Sequence, residues 1–207
     1  MLSVENLEYH YGSSQVLKNL SCHLMTQQLG MLVGQNGAGK STFLHCIAGW
    51  ATPSEGIITF NDVSLGRDER YFRKHVILIP DTPDFYDELT AWEHFQLIAQ
   101  LHKIPRWTVQ AEKLMTEFDL FDQRNTFPFM FSRGMRYKLA LGLALLVHPP
   151  LLLLDEPFGP LDVVARQNLW SFLKEYVQSG GTVLYSSHGI SVSHLPDIIL
   201  HLHHGRI

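Results

Sequence analysis

A glycine-rich segment at residues 34–42, GQNGAGKST, has residue types and spacing that indicate phosphate chemistry. It fits the pattern G-x-x-x-x-G-K-[ST], in which glycines let backbone N–H groups surround a phosphate and the following helix adds its positive N-terminal end. In this pattern Lys40 reaches the β- and γ-phosphates and the Ser41 hydroxyl ligates Mg²⁺. The residues predicted to bind a nucleotide are those of this phosphate loop, namely Gly34, Asn36, Gly37, Ala38, Gly39, Lys40, Ser41 and Thr42.

Two adjacent carboxylates follow a run of four leucines in the sequence LLLLDEP. Such a run is typical of a central parallel strand buried on both faces, and ligands of open α/β sheets bind where such strands end. We predict that Asp155 holds Mg²⁺ beside Ser41 and that Glu156 polarises the water that attacks the γ-phosphate. Two ordinary solvated carboxylates are the alternative, which the phosphate loop makes less favourable.

Strand-like and helix-like segments alternate at both ends of the chain. Apolar or alternating runs predict strands, and helical spacing predicts helices. The predicted strands cover residues 2–11, 29–33, 57–60, 76–79, 151–154 and 182–186, and the predicted helices begin at Lys40 and cover 162–177. This order is typical of an α/β fold with a parallel sheet and helices on its faces.

The middle of the chain, about residues 84–148, has helical character instead. Thr90 and Glu93 have the spacing of a capping box. The apolar residues of the helix that follows are Trp92, Phe95, Ile98 and Leu101. Further helices are predicted over 108–118 and up to Val147. We therefore predict one domain over residues 1–207, with a helical subdomain at about 84–148 inserted into the α/β core.

Charge and hydropathy limit the possible partners. The net charge of −4 differs from the basic balance of nucleic-acid-binding proteins, so we predict no nucleic-acid partner. The N-terminus lacks the order of a signal peptide. The longest apolar stretch, residues 139–154, is interrupted by His148, Pro149 and Pro150, which predicts a core helix followed by a core strand. The chain is expected to be cytosolic and to meet a membrane only through another protein.

Cysteines and histidines give no strong sign of a disulfide or a resident metal. The chain has two cysteines, Cys22 and Cys46, too few for a disulfide framework and interpreted as reduced thiols. His201, His203 and His204 lie on an alternating run, DIILHLHHGRI, without other ligands at metal-site spacing. Histidines on the surface or on an edge strand are favoured over a metal site there.

The motifs occur in the same order as in the nucleotide-binding domain of ABC transporters, which the chain resembles over essentially its whole length. Tyr11, in YHYG, matches the aromatic residue that stacks on adenine, although Tyr9 competes for this role and a core tyrosine is the alternative. The sequence FSRGMRYK at 131–138 resembles the signature usually written LSGGQ. The sequence FGPLD at 158–162 resembles the loop that crosses between subunits, and His188 matches the histidine that senses the γ-phosphate.

The resemblance implies a P-loop NTPase core with a mostly parallel sheet, flanking helices, N-terminal antiparallel strands and an inserted helical subdomain. It also implies that Ser132 and Gly134 cover ATP held by another subunit, so two chains, as a homodimer or heterodimer, enclose two ATP molecules with Mg²⁺. The implied activity is ATP hydrolysis that powers transport through a separate membrane-spanning permease. The implied location is the cytoplasmic side of the cell membrane.

The chain departs from the family pattern at three positions. Arg133 replaces the first signature glycine and Met135 stands at the glutamine position, a form that resembles a variant of exporter-type ATPases and favours export. Asp81 stands where many members carry a glutamine that contacts Mg²⁺ and the attacking water. By this match Asp81 is predicted to be a catalytic and metal-binding residue.

Two other functions remain open from the residues. An ATP-binding regulatory module with little turnover is supported by the three departures and opposed by the intact Glu156 and His188. A soluble ABC-type ATPase of translation or repair is opposed by the single domain, the lack of heptads and the net charge. Several aromatic residues fit either a docking surface for the permease or subdomain core, namely Phe85, Tyr86, Phe127, Phe129 and Phe131.

Overall fold

The computed structural model describes residues 1–189 and 195–207. These residues form two compact units, one made of Met1–Pro80 and Pro150–Ile207 and the other of Asp81–Pro149. The strands are β1 (Leu2–Tyr11), β2 (Ser14–Leu24), β3 (Leu29–Val33), β4 (Glu55–Phe60), β5 (Val63–Ser64), β6 (Val76–Ile79), β7 (Leu151–Leu154), β8 (Thr182–Ser187) and β9 (Ile198–His201). The α-helices are α1 (Lys40–Ile47), α2 (Glu69–His75), α3 (Ala91–His102), α4 (Trp107–Glu117), α5 (Arg133–Val147) and α6 (Val163–Gln178).

The first unit contains a parallel sheet in the order β6-β7-β8-β3-β9. Every residue of β3 and β7 is buried, because strands in the middle of a parallel sheet are covered on both faces. Their carboxyl ends lead into the phosphate loop and the Asp155–Glu156 pair respectively, so the sheet brings both motifs to one edge.

An antiparallel sheet in the order β2-β1-β4-β5 forms the other layer of the first unit. Buried side chains from this sheet, from α1 and from the parallel sheet share one hydrophobic cluster, which includes Leu7, Leu20, Phe43, Phe60 and Leu153. The predicted α/β fold with N-terminal antiparallel strands is confirmed.

Some elements of the first unit were not predicted. The strand β2 has a polar and alternating sequence, SQVLKNLSCHL, which lacks the continuous apolar run that marks β3 or β7. The short helix α2 depends on its cap, since the Asp68 carboxylate accepts a hydrogen bond from Tyr71 N. Within the alternating run DIILHLHHGRI, strand β9 ends at His201, and His203 beyond it bridges to Arg206.

The second unit consists of α3, α4 and α5 with two short 3₁₀ turns at Phe121–Gln123 and Pro128–Met130. The predicted capping box at α3 is present, because Thr90 and Glu93 each bond the backbone N–H of the other. The predicted apolar face of α3 is partly wrong. Leu101 is 67% exposed, whereas the small or polar residues Ala91, His94 and Ala99 are buried.

Two negative findings apply to the described residues. None of their helices has the length and apolar character that spanning a bilayer requires. No group of three or more His, Cys, Asp or Glu side chains among them is arranged to hold a metal ion by itself. Cys22 and Cys46 are buried free thiols, and burial raises the pKa of each to about 12.

Candidate nucleotide-binding and catalytic site

The phosphate loop links the end of β3 to the start of α1. Gly37 and Gly39 have φ angles of 78° and 104°, in the left-handed region that glycine adopts without a steric cost. Gly34 lies against the carbonyl oxygen of Leu202, where a Cβ atom would collide with the backbone. Gly39 is the N-cap residue of α1, and no side chain caps this helix. Its first N–H groups therefore have no N-cap side chain as an acceptor, which suits binding of a phosphate.

Lys40 is the central cation of the site and is only 6% exposed. Its Nζ donates hydrogen bonds to Gly34 O at 2.8 Å and to Gln35 O at 3.3 Å. The same ammonium lies 3.3 Å from Glu156 Oε1 and 3.4 Å from His188 Nδ1. The fold thus brings the predicted phosphate-binding lysine, the predicted base and the predicted γ-phosphate sensor into one cluster.

Glu156 occupies an unusual backbone position at the end of β7. Its φ of 48° lies in the left-handed region, which is uncommon for a residue other than glycine and is found most often where the surrounding structure fixes it. Its backbone N–H donates to Ser186 Oγ at 2.8 Å. This conformation directs the Glu156 carboxylate towards Lys40 and His188.

Asp155 is 4% exposed and is oriented by Ser186 on the adjacent strand β8. The Ser186 hydroxyl donates to Asp155 Oδ1 at 2.5 Å while its oxygen accepts from Glu156 N. One fully buried hydroxyl therefore orients both predicted carboxylates. Reasoning from the sequence missed Ser186, because in YSSHG only His188 matched a family motif, although its place at the end of a strand beside the acidic pair was a usable signal.

His188 lies directly after β8 and its side chain is 59% exposed. Its two ring nitrogens face different partners, Lys40 at Nδ1 and Glu156 Oε1 at Nε2, the latter at 3.3 Å. Because the lysine can only donate, Nδ1 acts as an acceptor and the ring proton is assigned to Nε2, facing the carboxylate.

Tyr11 ends β1 in the hairpin that precedes β2 and is 55% exposed. The ring of Tyr9 contacts it edge-on, with centroids 4.9 Å apart, and itself packs partly buried against the core cluster. Of these two tyrosines, Tyr11 has the more accessible ring face for stacking on a base. Val16 of the following strand β2 lies against the phosphate loop at Gly39.

The remaining predicted site residues belong to the second unit. Ser132 is the N-cap of α5 and its hydroxyl accepts from Met135 N, while Gly134 lies in the first turn of that helix. The Asp81 carboxylate forms an ion pair with Arg133 at 2.5 Å. Two of the three departures from the family pattern therefore contact each other.

The aromatic residues of the second unit divide between surface and core. Tyr86 and Phe129 are 63% and 58% exposed, and Phe129 stacks on Phe127 with ring centroids 5.6 Å apart. Phe131 is buried, as the core interpretation requires, and Phe85 is partly buried under Arg136.

Comparison with known proteins agrees with this fold. The family model described as ABC transporter matches residues 17–159, and the chain therefore belongs to the ABC transporter family. It is an ATP-binding subunit of that family, and such subunits bind and hydrolyse ATP. The relatives are transporter subunits, so they favour neither a translation or repair ATPase nor a module without turnover.

Individual relatives cover nearly the whole chain. The ATP-binding protein EcsA of Bacillus subtilis is 35% identical over all of this chain and 85% of its own length. The lantibiotic transport ATP-binding protein SrtF of Streptococcus pyogenes is 30% identical over all of this chain and 89% of its own. A solved ATP-binding subunit of an ABC transporter has a TM-score of 0.91 at 33% identity, covering 100% of this chain and 88% of that one.

A dimeric cassette solved with ADP and phosphate shares the fold. Its TM-score is 0.89 at 24% identity, and the match covers 100% of this chain and 96% of that one.

Proposed function

We propose that two copies of this chain, or one copy and a related chain, close around two Mg-ATP molecules and drive a separate membrane-spanning permease from the cytoplasmic side, in the direction of export. The observation that carries the proposal is the cluster around Lys40, in which the phosphate loop, Glu156 and His188 lie within 3.4 Å of one ammonium. A lysine buried at a helix N-terminus is suited to bind a concentrated negative charge.

Each residue of the cluster has a distinct proposed role. Lys40 and the loop N–H groups bind the β- and γ-phosphates, and Glu156 accepts a proton from the attacking water. His188, whose Nε2 faces Glu156, contacts the γ-phosphate and orients that carboxylate. Tyr11 stacks on the adenine.

The residues at the strand ends fit a magnesium site. Asp155 is held through Oδ1 by Ser186, and its other carboxylate oxygen and the Ser41 hydroxyl would hold the ion. Mg²⁺, when bound, neutralises charge on the phosphate oxygens. Asp81, whose carboxylate pairs with Arg133, is proposed as an additional contact to the ion and the water.

Pairing of two copies is supported by the family and by exposed groups on each unit. Ser132 and Gly134 are proposed to cover ATP bound by the other copy. On the first unit, Val163 and Val164 follow the 158–162 loop and are more than 65% exposed, which suits a surface that becomes covered. The exposed Tyr86 and Phe129 are proposed to contact the permease.

The direct test is ATP binding by the variant Lys40→Ala. We expect binding to be lost, because the phosphates lose their main cation. Lys113→Ala is the matched control, since that lysine is 76% exposed on α4. Equilibrium binding of a fluorescent ATP analogue with Mg²⁺ measures the effect, and circular dichroism checks the fold. Unchanged affinity in a folded Lys40→Ala protein would refute the phosphate-loop assignment.

A further inference from the structure

A short loop of the second unit, residues 81–86, is held by side chains from two helices. From α5, Arg133 pairs with Asp81 and Arg136 Nη2 donates to Pro83 O at 2.8 Å. The guanidinium of Arg136 also lies 5.6 Å from the centroid of the Phe85 ring.

From α3, His94 holds the end of the same loop. Its Nδ1 lies 2.8 Å from Thr90 O, and its Nε2 accepts from Tyr86 N at 3.1 Å. Since a carbonyl only accepts and an amide N–H only donates, the ring carries its proton on Nδ1. His94 is buried, so this pair of bonds fixes where the loop ends.

The contact between Asp81 and Arg133 joins the loop to the first turn of α5, which we call the signature turn (residues 132–136). Both residues depart from the family pattern, and their charges are opposite. A glutamine and a glycine at these positions would form no such ion pair. The two departures are therefore chemically complementary and separated by 52 residues in sequence.

We infer that Arg133 is a positioning residue for Asp81. The two residues form a matched ion pair that fixes the position of loop 81–86 relative to the signature turn. This inference rests on the proposed function, in which Asp81 approaches the magnesium ion and the signature turn covers ATP. Arg136 helps to hold the loop in the same position through its contacts with Pro83 and Phe85.

A matched pair makes a specific prediction about substitutions towards the family pattern. Arg133→Gly alone leaves the Asp81 carboxylate without its cation, and Asp81→Gln alone leaves Arg133 without its anion. Each single change should lower kcat for ATP hydrolysis by roughly tenfold, and the double variant Asp81→Gln/Arg133→Gly should recover to within about threefold of the wild type. Arg133→Lys, which keeps the charge, should retain most of kcat.

The experiment measures kcat and KM for Mg-ATP with the full chain in a double-mutant cycle, with melting temperatures of all variants. Binding of the ATP analogue to the single variants should stay as in the wild type, because the phosphate loop is unchanged. The control removes an ion pair on α4 of the same unit, Lys113 with Glu117 at 3.6 Å, which lies outside loop 81–86 and the signature sequence. Lys113→Ala and Glu117→Gln should leave kcat within about twofold.

The outcomes separate this inference from the proposed function. Single effects on kcat that multiply in the double variant, or single variants as active as the wild type, would overturn the matched pair while the wild type still hydrolyses ATP. A wild-type chain that binds no ATP would overturn the proposed function and the inference with it.

Discussion

The phosphate site of the first unit and the loop 81–86 contact of the second unit are built from different kinds of interaction. At the phosphate site, a buried lysine and a buried serine bond backbone atoms and carboxylates that sit at strand ends. At loop 81–86, long arginine side chains reach across the surface, and the Asp81–Arg133 pair is about half exposed. Buried polar groups are costly to leave unpaired, whereas exposed ion pairs contribute about 0–1 kcal/mol each.

The two regions therefore differ in how strongly their geometry is held. The first region needs its geometry before ATP arrives, because preorganised groups need no rearrangement at the moment of reaction. The second region is held by exposed side-chain pairs, which contribute less to stability than the buried bonds of the first region. The following predictions test that contrast, in order of decreasing expected effect.

The largest of these effects is expected for Ser186→Ala. Removing the hydroxyl leaves Asp155 Oδ1 and the Glu156 N–H without their common partner in a buried position. Because groups that orient ligands typically contribute 10- to 100-fold, kcat should fall by about that factor while folding is kept. The control is Ser179→Ala, whose hydroxyl donates to Tyr176 O at the end of α6. Steady-state kinetics with wild-type turnover in Ser186→Ala would show that the two carboxylates need no such support.

A stability effect is expected at Gly142 in the second unit. A Cβ atom there would come within 2.8 Å of the buried Phe95 ring, where α3 and α5 pack together. Alanine is favoured over glycine in a helix by about 1 kcal/mol, but overpacking costs about 1–3 kcal/mol. Gly142→Ala should therefore lower the urea midpoint.

The variant Phe95→Leu/Gly142→Ala tests the cause of that change, since the smaller side chain leaves room for the new methyl group. The stability lost on adding Gly142→Ala to the Phe95→Leu protein should be smaller than the stability lost on adding it to the wild type. A Gly142→Ala protein that is more stable than the wild type would show that α3 and α5 shift enough to accommodate the added methyl group.

A smaller, pH-dependent effect is expected at His94. Burial lowers the pKa of His94, opposed by its bond to Thr90 and by the charge of Glu93. Below the ordinary histidine pKa of about 6.5, the unfolded chain takes up a proton that the folded chain excludes. The contribution of neutral His94 to stability is therefore present above that pH and is lost as the pH falls towards the lowered value.

Melting temperatures at about pH 7.5 and 5.5 test this sign. His94→Gln should show a smaller fall in Tm on acidification than the wild type, and His102→Gln, at an exposed position of the same helix, should behave like the wild type. An identical fall in all three proteins would assign the acid sensitivity to other groups.

The sequence predicted the first region better than the second for physical reasons. The glycine loop, the leucine strand and the acidic pair are local patterns, and each is tied to one backbone geometry. The Asp81–Arg133 and Arg136–Pro83 contacts join residues 52 and 53 positions apart, and nothing in the local sequence of either partner indicates the other. Strand β2 and the exposure of Leu101 were missed because tertiary packing, which local periodicity does not contain, decides them.

In the proposed function, ATP held by Lys40 closes two chains. The most direct measurement is the mass of the Glu156→Gln protein by light scattering, with and without Mg-ATP. Removing the base should stop hydrolysis while leaving the ATP contacts in place, so we expect the mass to double from monomer to dimer when Mg-ATP is added. A mass that stays monomeric although the variant binds ATP would contradict pairing of this chain with itself.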